Sequence, residues 1–161
     1  MKNETSQTTT HIDELIFLLK KGNAHVNFND AVNNVPFEDL GKKPGNLPYS
    51  IWQITEHIRI TQKDILDFSI NKNYKELNWP DDYWPESATP GTQADWHHSI
   101  KAINDDLDEF ILVLKNSENI YKLFDHGTGQ TLLREAMLIA DHNSYHTGEI
   151  IVLRRLLGNW K

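Results

Sequence analysis

The chain has 161 residues, a formal net charge of −7 and no cysteine. The length indicates a single domain over residues 1–161, large enough to bury a core, and the missing cysteines exclude disulfides, thiolate zinc sites and a cysteine nucleophile. The acidic balance, with no dense cluster of Lys and Arg, argues against binding to nucleic acid, which needs a basic face. The polar start and the short apolar runs predict neither a signal peptide nor a membrane span, so we expect a cytoplasmic domain.

The first part of the chain predicts one helix, a break and a short helical continuation. Residues 1–8 are expected to be loose. Residues 10–21 carry apolar side chains at helical spacing, with Thr10 as the N-cap. Gly22-Asn23 interrupts this pattern, which resumes over residues 24–35 on a continued or a new helix until Pro36 ends it. The three prolines and two glycines of residues 36–49 indicate a connector.

Two long helices are predicted next, over residues 50–70 and 95–115, and each carries an apolar stripe at helical spacing. The stripe of residues 95–115 is almost unbroken, which is typical of bundle packing. Residues 71–93 between them form a long loop with three prolines and the aromatic residues Trp79, Tyr83 and Trp84. Loops of this length are often functional or packed by their own side chains. We therefore leave both roles open for these aromatic residues, as the wall of a substrate site or as self-packing over the bundle end.

The last predicted helix, residues 130–160, carries the most informative pattern. It contains no proline and repeats apolar residues at helical spacing, but histidines interrupt the apolar stripe. Glu135, His142, His146 and Glu149 lie within a narrow arc of the helix. Polar groups on a core-facing stripe are costly unless they have partners. This face of the helix therefore predicts a site.

The pattern of elements predicts an all-α fold. No strand-like alternation competes with the helices, and four helices with apolar stripes and connectors of unequal length make a four-helix bundle. The two long connecting loops allow more than a simple up-down topology.

Two histidines one turn apart on a helix, such as His142 and His146, can bind one metal ion because both side chains leave the same face. His57 borders the buried stripe of residues 50–70 and is the candidate for a third ligand. Each histidine also has a simpler interpretation, as a half-buried hydrogen-bonding residue or as an incidental pair on a helix. Spacing alone supports the metal site about as well as these simpler interpretations.

The other five histidines are weaker candidates. His25 flanks a helix break, and it could be a core hydrogen-bonding residue, a partner of a ligand or a pocket residue. The rest are expected to be ordinary exposed residues at helix starts or in loops: His11, His97, His98 and His126.

The segments SIWQITEHIRITQKDILDF and DHNSYHTGEIIVLRRLLGNW, with the GNAHVNF start and the WPDDYWP loop, resemble the DinB family of metal-binding four-helix bundles, also called DinB/YfiT-like. The likeness covers nearly the whole chain. Its most specific parts are one histidine in the helix predicted over residues 50–70 and, in the last helix, the H-x3-H pair followed by x-Gly. In that family three histidines bind one divalent ion, commonly nickel or zinc, in the bundle cleft. Carried onto this sequence, the resemblance implies that His57, His142 and His146 are the ligands.

The resemblance also implies two classes of function. Three neutral imidazoles leave open positions on a divalent ion, which is the catalytic arrangement. Family members include transferases and an isomerase that use low-molecular-weight thiols, and others are described as metal-dependent hydrolases. We therefore expect a metal-dependent enzyme of the thiol-transferase or hydrolase kind that acts on a small-molecule substrate. The alternative is a non-catalytic metal-binding protein of the stress response, which could form a homodimer.

Many family members have Gln after the glycine of the last motif, whereas this chain has Glu149. That carboxylate could accept a hydrogen bond from a ligand histidine or from a metal-bound water. The HNSYH motif lacks the glutamate that serves as the base in HExxH metalloproteases. If the site activates water, Glu149 is the first candidate for the catalytic base, ahead of Glu135, Glu56 and Asp141.

Overall fold

The computed structural model describes the backbone of residues 2–160 and the side chains of residues 9–160. Within this part of the chain there are five α-helices and no strand. Their bounds are α1 Lys2–Lys21, α2 Phe28–Val32, α3 Ile51–Ile70, α4 Gln93–Asn116 and α5 Leu132–Leu156. The predicted all-α bundle is therefore confirmed, with four long helices and the short α2 beside them.

The first helix is longer than the sequence pattern predicts. It begins at Lys2, so Thr10 lies inside α1 and the prediction that Thr10 is its N-cap is wrong. Residues 2–10 contain no proline or glycine, so no residue there interrupts a helix. Residues 2–8, which were expected to be loose, belong to α1, and Met1 lies outside the described residues.

A turn after Lys21 separates α1 from a new, short helix. Gly22 has φ 59°, a left-handed conformation that glycine adopts without steric cost. The Asn27 side chain then caps α2 by accepting a hydrogen bond from the Asp30 N–H. This helix ends at Val32, before Pro36, so the proline is not what terminates it.

Capping side chains set the starts of the three long helices that follow. Ser50 caps α3 in a capping box with Gln53, and Thr92 caps α4 in a capping box with Asp95. Thr131 caps α5. The cap at Thr92 places the start of α4 two residues before the predicted position, and the cap at Thr131 places the start of α5 two residues after it.

The core consists of two apolar clusters separated by a polar layer. Along α3 the first cluster ends at Ile58 and the second begins at Ile65. Along α5 the order is reversed, so that the second cluster ends at Ile139 and the first begins at Ile150. Since α3 packs against α5, the polar side chains between these boundaries face one another across the bundle. His57, next to Ile58, joins this layer from α3.

None of the helices in the described residues has both the length and the apolar character needed to cross a membrane.

Candidate metal centre

Three histidine side chains from two helices come together in the polar layer. His57 projects from α3, and His142 and His146 project from α5. One nitrogen from each ring can be chosen so that all three atoms lie within 4.8 Å of one another. The ring centroids are 4.4 to 4.8 Å apart. The structure therefore brings together the three histidines that the sequence singled out.

Each ring has an oxygen acceptor near its Nδ1 atom. His57 Nδ1 donates to the backbone carbonyl of Tyr83 at 2.9 Å, and His146 Nδ1 donates to Glu149 Oε2 at 2.7 Å. His142 Nδ1 lies 3.4 Å from Asn143 Oδ1, a weaker contact. A carbonyl and a carboxylate accept hydrogen bonds and do not donate them, so Nδ1 carries the proton in His57 and His146. Their Nε2 lone pairs are then available to a ligand, as in metal sites whose histidines are oriented by surrounding acceptors.

The donor set fits a cation. His57 Nε2 and His142 Nε2 are 3.0 Å apart, and two unprotonated nitrogens at this distance repel unless a proton or a positive ion lies between them. The Tyr83 carbonyl keeps the His57 proton on Nδ1, so only the His142 ring can supply a proton between the two Nε2 atoms. A divalent ion that prefers nitrogen ligands can take the place of this bridging proton.

The histidines are in the protonation state that a metal requires. Burial, followed by the proximity of His146 and His57, lowers the pKa of His142 to about 4. Burial, followed by the proximity of His57, also lowers the pKa of His146 to about 4. Burial lowers the pKa of His57, although its bond to Tyr83 opposes the shift. All three rings are therefore neutral at pH 7, and metal binding there does not have to displace protons from charged imidazolium groups.

A stack of aromatic rings fixes the plane of His57. The Trp84 ring lies parallel to it with the centroids 3.9 Å apart, and Tyr49 stacks on the other face of Trp84 at 3.8 Å. Trp84 therefore packs against one of the three histidines rather than only against its own loop. Trp79 is 70% exposed, and its ring centroid lies 6.4 Å from that of His57, so this second loop tryptophan is free to contact a ligand.

A hydrogen bond to the buried amide of Gln62 fixes the orientation of Asn143. Its Nδ2 donates to Gln62 Oε1 at 2.8 Å, and Gln62 Nε2 donates to the Ile103 carbonyl at 2.6 Å. This arrangement leaves Asn143 Oδ1 facing His142. Gln62 is only 1% exposed, and the sequence analysis missed it. The available signal was a glutamine one turn after Ile58, at a core position of α3.

The four carboxylates proposed as bases have different surroundings. Glu149 is the one in contact with a histidine of the cluster, and burial raises its pKa. Glu56 is turned to Arg59, from which it accepts hydrogen bonds of 2.9 and 2.8 Å. Glu135 is 4% exposed, and burial raises its pKa. Asp141 is exposed and lines a different cavity.

The remaining histidines make contacts elsewhere. His97 and His98 are exposed, as predicted. His11 is exposed and contacts the Tyr121 hydroxyl. His126 is half-buried, contrary to the prediction, and its Nε2 donates to the Phe68 carbonyl at 2.8 Å.

His25 is a pocket residue, one of the three roles left open for it. It lines a cavity of about 320 Å³ between α1, α2, α4 and α5, and its Nε2 lies 2.7 Å from the Ser144 hydroxyl.

The chain was also compared with known proteins. The family model described as DinB family matches residues 5–160, which is nearly the whole chain. Neither the curated proteins nor the solved structures include a match to this sequence.

Proposed function

The chain belongs to the DinB family, and we propose that His57, His142 and His146 bind one divalent metal ion, nickel or zinc. We further propose that the protein is a metal-dependent enzyme acting on a small-molecule substrate, of the thiol-transferase kind. The observation that carries the proposal is the convergence of the three rings, two of which are held by hydrogen bonds from Nδ1 that leave Nε2 available to a ligand.

Three neutral imidazoles would leave coordination positions for a ligand from outside the protein. When bound, a divalent ion supplies Lewis acidity, which lowers the pKa of a thiol or of a water molecule. The protein has no cysteine, so a nucleophilic thiolate would come from a low-molecular-weight thiol.

The surroundings of Glu149 favour the thiol reaction over hydrolysis. Its carboxylate accepts the His146 Nδ1 proton at 2.7 Å, and the nearby Tyr145 hydroxyl partly offsets the rise in its pKa that burial causes. A carboxylate engaged in this way orients its partner and is poorly placed to take a proton from water. A thiol bound to a divalent ion at this centre would release its proton to solvent and would need no protein base. Thiol transfer therefore needs no group beyond those near the centre.

Two exposed aromatic side chains beside the histidines support a substrate with an apolar part. Trp79 lies near His57, and the ring centroid of Tyr145 lies 4.9 Å from that of His146. Tyr145 is 65% exposed. Large side chains exposed beside two of the histidines provide surface for the body of a small molecule, while the centre binds its reactive group.

The test is to incubate metal-loaded protein with a panel of low-molecular-weight thiols and electrophiles and to follow consumption of the thiol. A parallel panel of esters and amides without thiol measures hydrolysis. We expect thiol-dependent turnover that is lost in His146→Ala and kept in His98→Ala. Tight metal binding without turnover in either panel would contradict the enzyme and leave a non-catalytic metal-binding protein.

A further inference from the structure

We infer that Asp64 is a positioning residue for the proposed metal centre. It accepts hydrogen bonds from two tyrosines of the loop over residues 71–92, and it thereby holds the Tyr83 carbonyl against Nδ1 of His57. The inference rests on the proposed function, since its consequence is a change in metal affinity.

Both oxygens of the Asp64 carboxylate are used. Tyr74 donates its hydroxyl proton to Oδ1 at 2.7 Å, and Tyr83 donates to Oδ2 at 2.7 Å. All three side chains are half-buried. One carboxylate on α3 therefore joins two separate points of the loop to the helix.

The anchor and the histidine lie on the same rigid element. Asp64 follows His57 by two helical turns on α3, so both side chains leave the same side of the helix. Tyr83 spans the distance between them, with its hydroxyl on Asp64 and its carbonyl on His57. The next residue, Trp84, stacks on the same imidazole. Moving Tyr83 would therefore disturb two contacts of His57 together.

The hydrogen bonds to Asp64 are suited to a permanent anchor. Burial and the nearby Asp64 carboxylate raise the pKa of both Tyr74 and Tyr83. The hydroxyls are therefore protonated at neutral pH and can donate to the carboxylate. Hydrogen bonds to an ionised acceptor are also stronger than those between neutral groups.

Loss of this anchor should weaken metal binding through His57. Residues that orient a ligand from outside typically change metal affinity by about 10- to 100-fold when they are substituted. We expect a change of that size in Asp64→Asn and Tyr83→Phe, measured as the apparent Kd for Zn²⁺ and Ni²⁺ in competition with a chromophoric chelator. In a His57→Ala background the same substitutions should cause no further loss, because the ring on which they act is gone.

Two control variants separate positioning from charge and from loop packing. Asp67→Asn removes a nearby negative charge whose partner is Lys63 at 2.6 Å, and it should leave the Kd within about twofold, as expected of an exposed ion pair. Tyr74→Phe removes the other hydrogen bond to the Asp64 carboxylate, and Tyr74 does not contact His57. Its effect on the metal Kd should therefore be smaller than that of Tyr83→Phe. Circular dichroism checks that each variant keeps its helices.

A second readout uses the metal-free protein. The nitrogen-15 NMR spectrum should show His57 protonated at Nδ1 in the wild type and in Tyr74→Phe, and a mixture of tautomers in Tyr83→Phe. If the wild type binds metal but Asp64→Asn and Tyr83→Phe match its Kd and its His57 spectrum, the inference is overturned and the proposed function stands. If the wild type binds no metal, the proposed function fails, and the NMR comparison still decides whether Asp64 orients the ring.

Discussion

The Nε2 atoms of His57 and His142 lie 3.0 Å apart, although the two residues are separated by 85 positions in the chain. Neither helix can form this pair alone, because one ring comes from α3 and the other from α5. The pair forms where the two apolar clusters of the core leave a polar layer between them. The packing of the bundle therefore sets the distance between potential ligands.

His57→Ala should remove the ligand that α3 supplies. We expect metal affinity to fall by more than about 100-fold, because loss of a ligand exceeds the about 10- to 100-fold effect of the groups that orient one. The helical content should be kept, since the two apolar clusters are untouched. Isothermal titration and circular dichroism measure the two quantities. His97→Ala and His98→Ala serve as controls, and unchanged stoichiometry and affinity in His57→Ala would remove His57 from the site.

Glu149→Gln distinguishes an orienting role from a catalytic base. The amide oxygen can still accept the His146 proton but without a negative charge, so we expect metal affinity to fall by about 10-fold. If Glu149 only orients His146, turnover at saturating metal should return close to the wild-type rate. A kcat that stays low at full metal occupancy, with a changed pH profile, would instead assign proton transfer to Glu149.

Trp84→Phe tests the aromatic stack on His57. A cation bound to the imidazole would alter the environment of the indole that lies 3.9 Å from it. The change in tryptophan fluorescence on addition of Zn²⁺ should therefore lose its largest part in Trp84→Phe. Trp96→Phe is the control, because Trp96 is buried in the apolar core. If Trp79→Phe abolishes the signal and Trp84→Phe keeps it, the stack is not the reporter.

The metal-free protein should lose stability as the pH falls from about 6.5 to about 4. His142 and His146 have pKa values of about 4 in the folded chain against 6.5 for an exposed imidazole. In this range the unfolded chain thus binds more protons than the folded chain. The free energy of unfolding is therefore highest above pH 6.5, and the part controlled by these two histidines is lost as the pH falls to about 4. One pKa unit corresponds to about 1.4 kcal/mol, and because the two rings interact we expect a loss on the order of 3 kcal/mol for the pair.

Urea unfolding in the presence of a chelator, at several pH values across this range, measures the effect. The double variant His142→Asn/His146→Asn should lose most of this pH dependence, whereas His97→Ala/His98→Ala should keep it. Equal pH dependence in the wild type and in the His142→Asn/His146→Asn variant would show that these rings do not control the acid sensitivity.

The positions of the long helices and the choice of the three histidines could be predicted from the spacing of apolar residues. Apolar residues at helical spacing report which face of each helix is buried, and His142 and His146 stand out because they interrupt such a face. The same reasoning selected His57 at the edge of the stripe on α3. The early start of α1 was not predicted, because residues 2–10 have few apolar residues and so show no periodic pattern.

The groups that orient the rings could not be predicted from spacing. Tyr83 acts through its backbone carbonyl, which every residue possesses, and its position depends on the path of a loop without regular structure. The direction of the Glu149 side chain was also open, since a carboxylate one turn from His146 can reach either the ring or a ligand. The structure shows it on the ring.

The central claim is that the three histidines bind a metal ion. It is tested most directly by anomalous X-ray scattering from crystals of protein purified without a histidine tag or added metal, combined with elemental analysis of the same sample. We expect one equivalent of nickel or zinc per chain and an anomalous peak about 2 Å from a nitrogen of each of His57, His142 and His146. A peak elsewhere, or histidines that only hydrogen-bond to one another in a metal-free sample that also takes up no added metal, would contradict it.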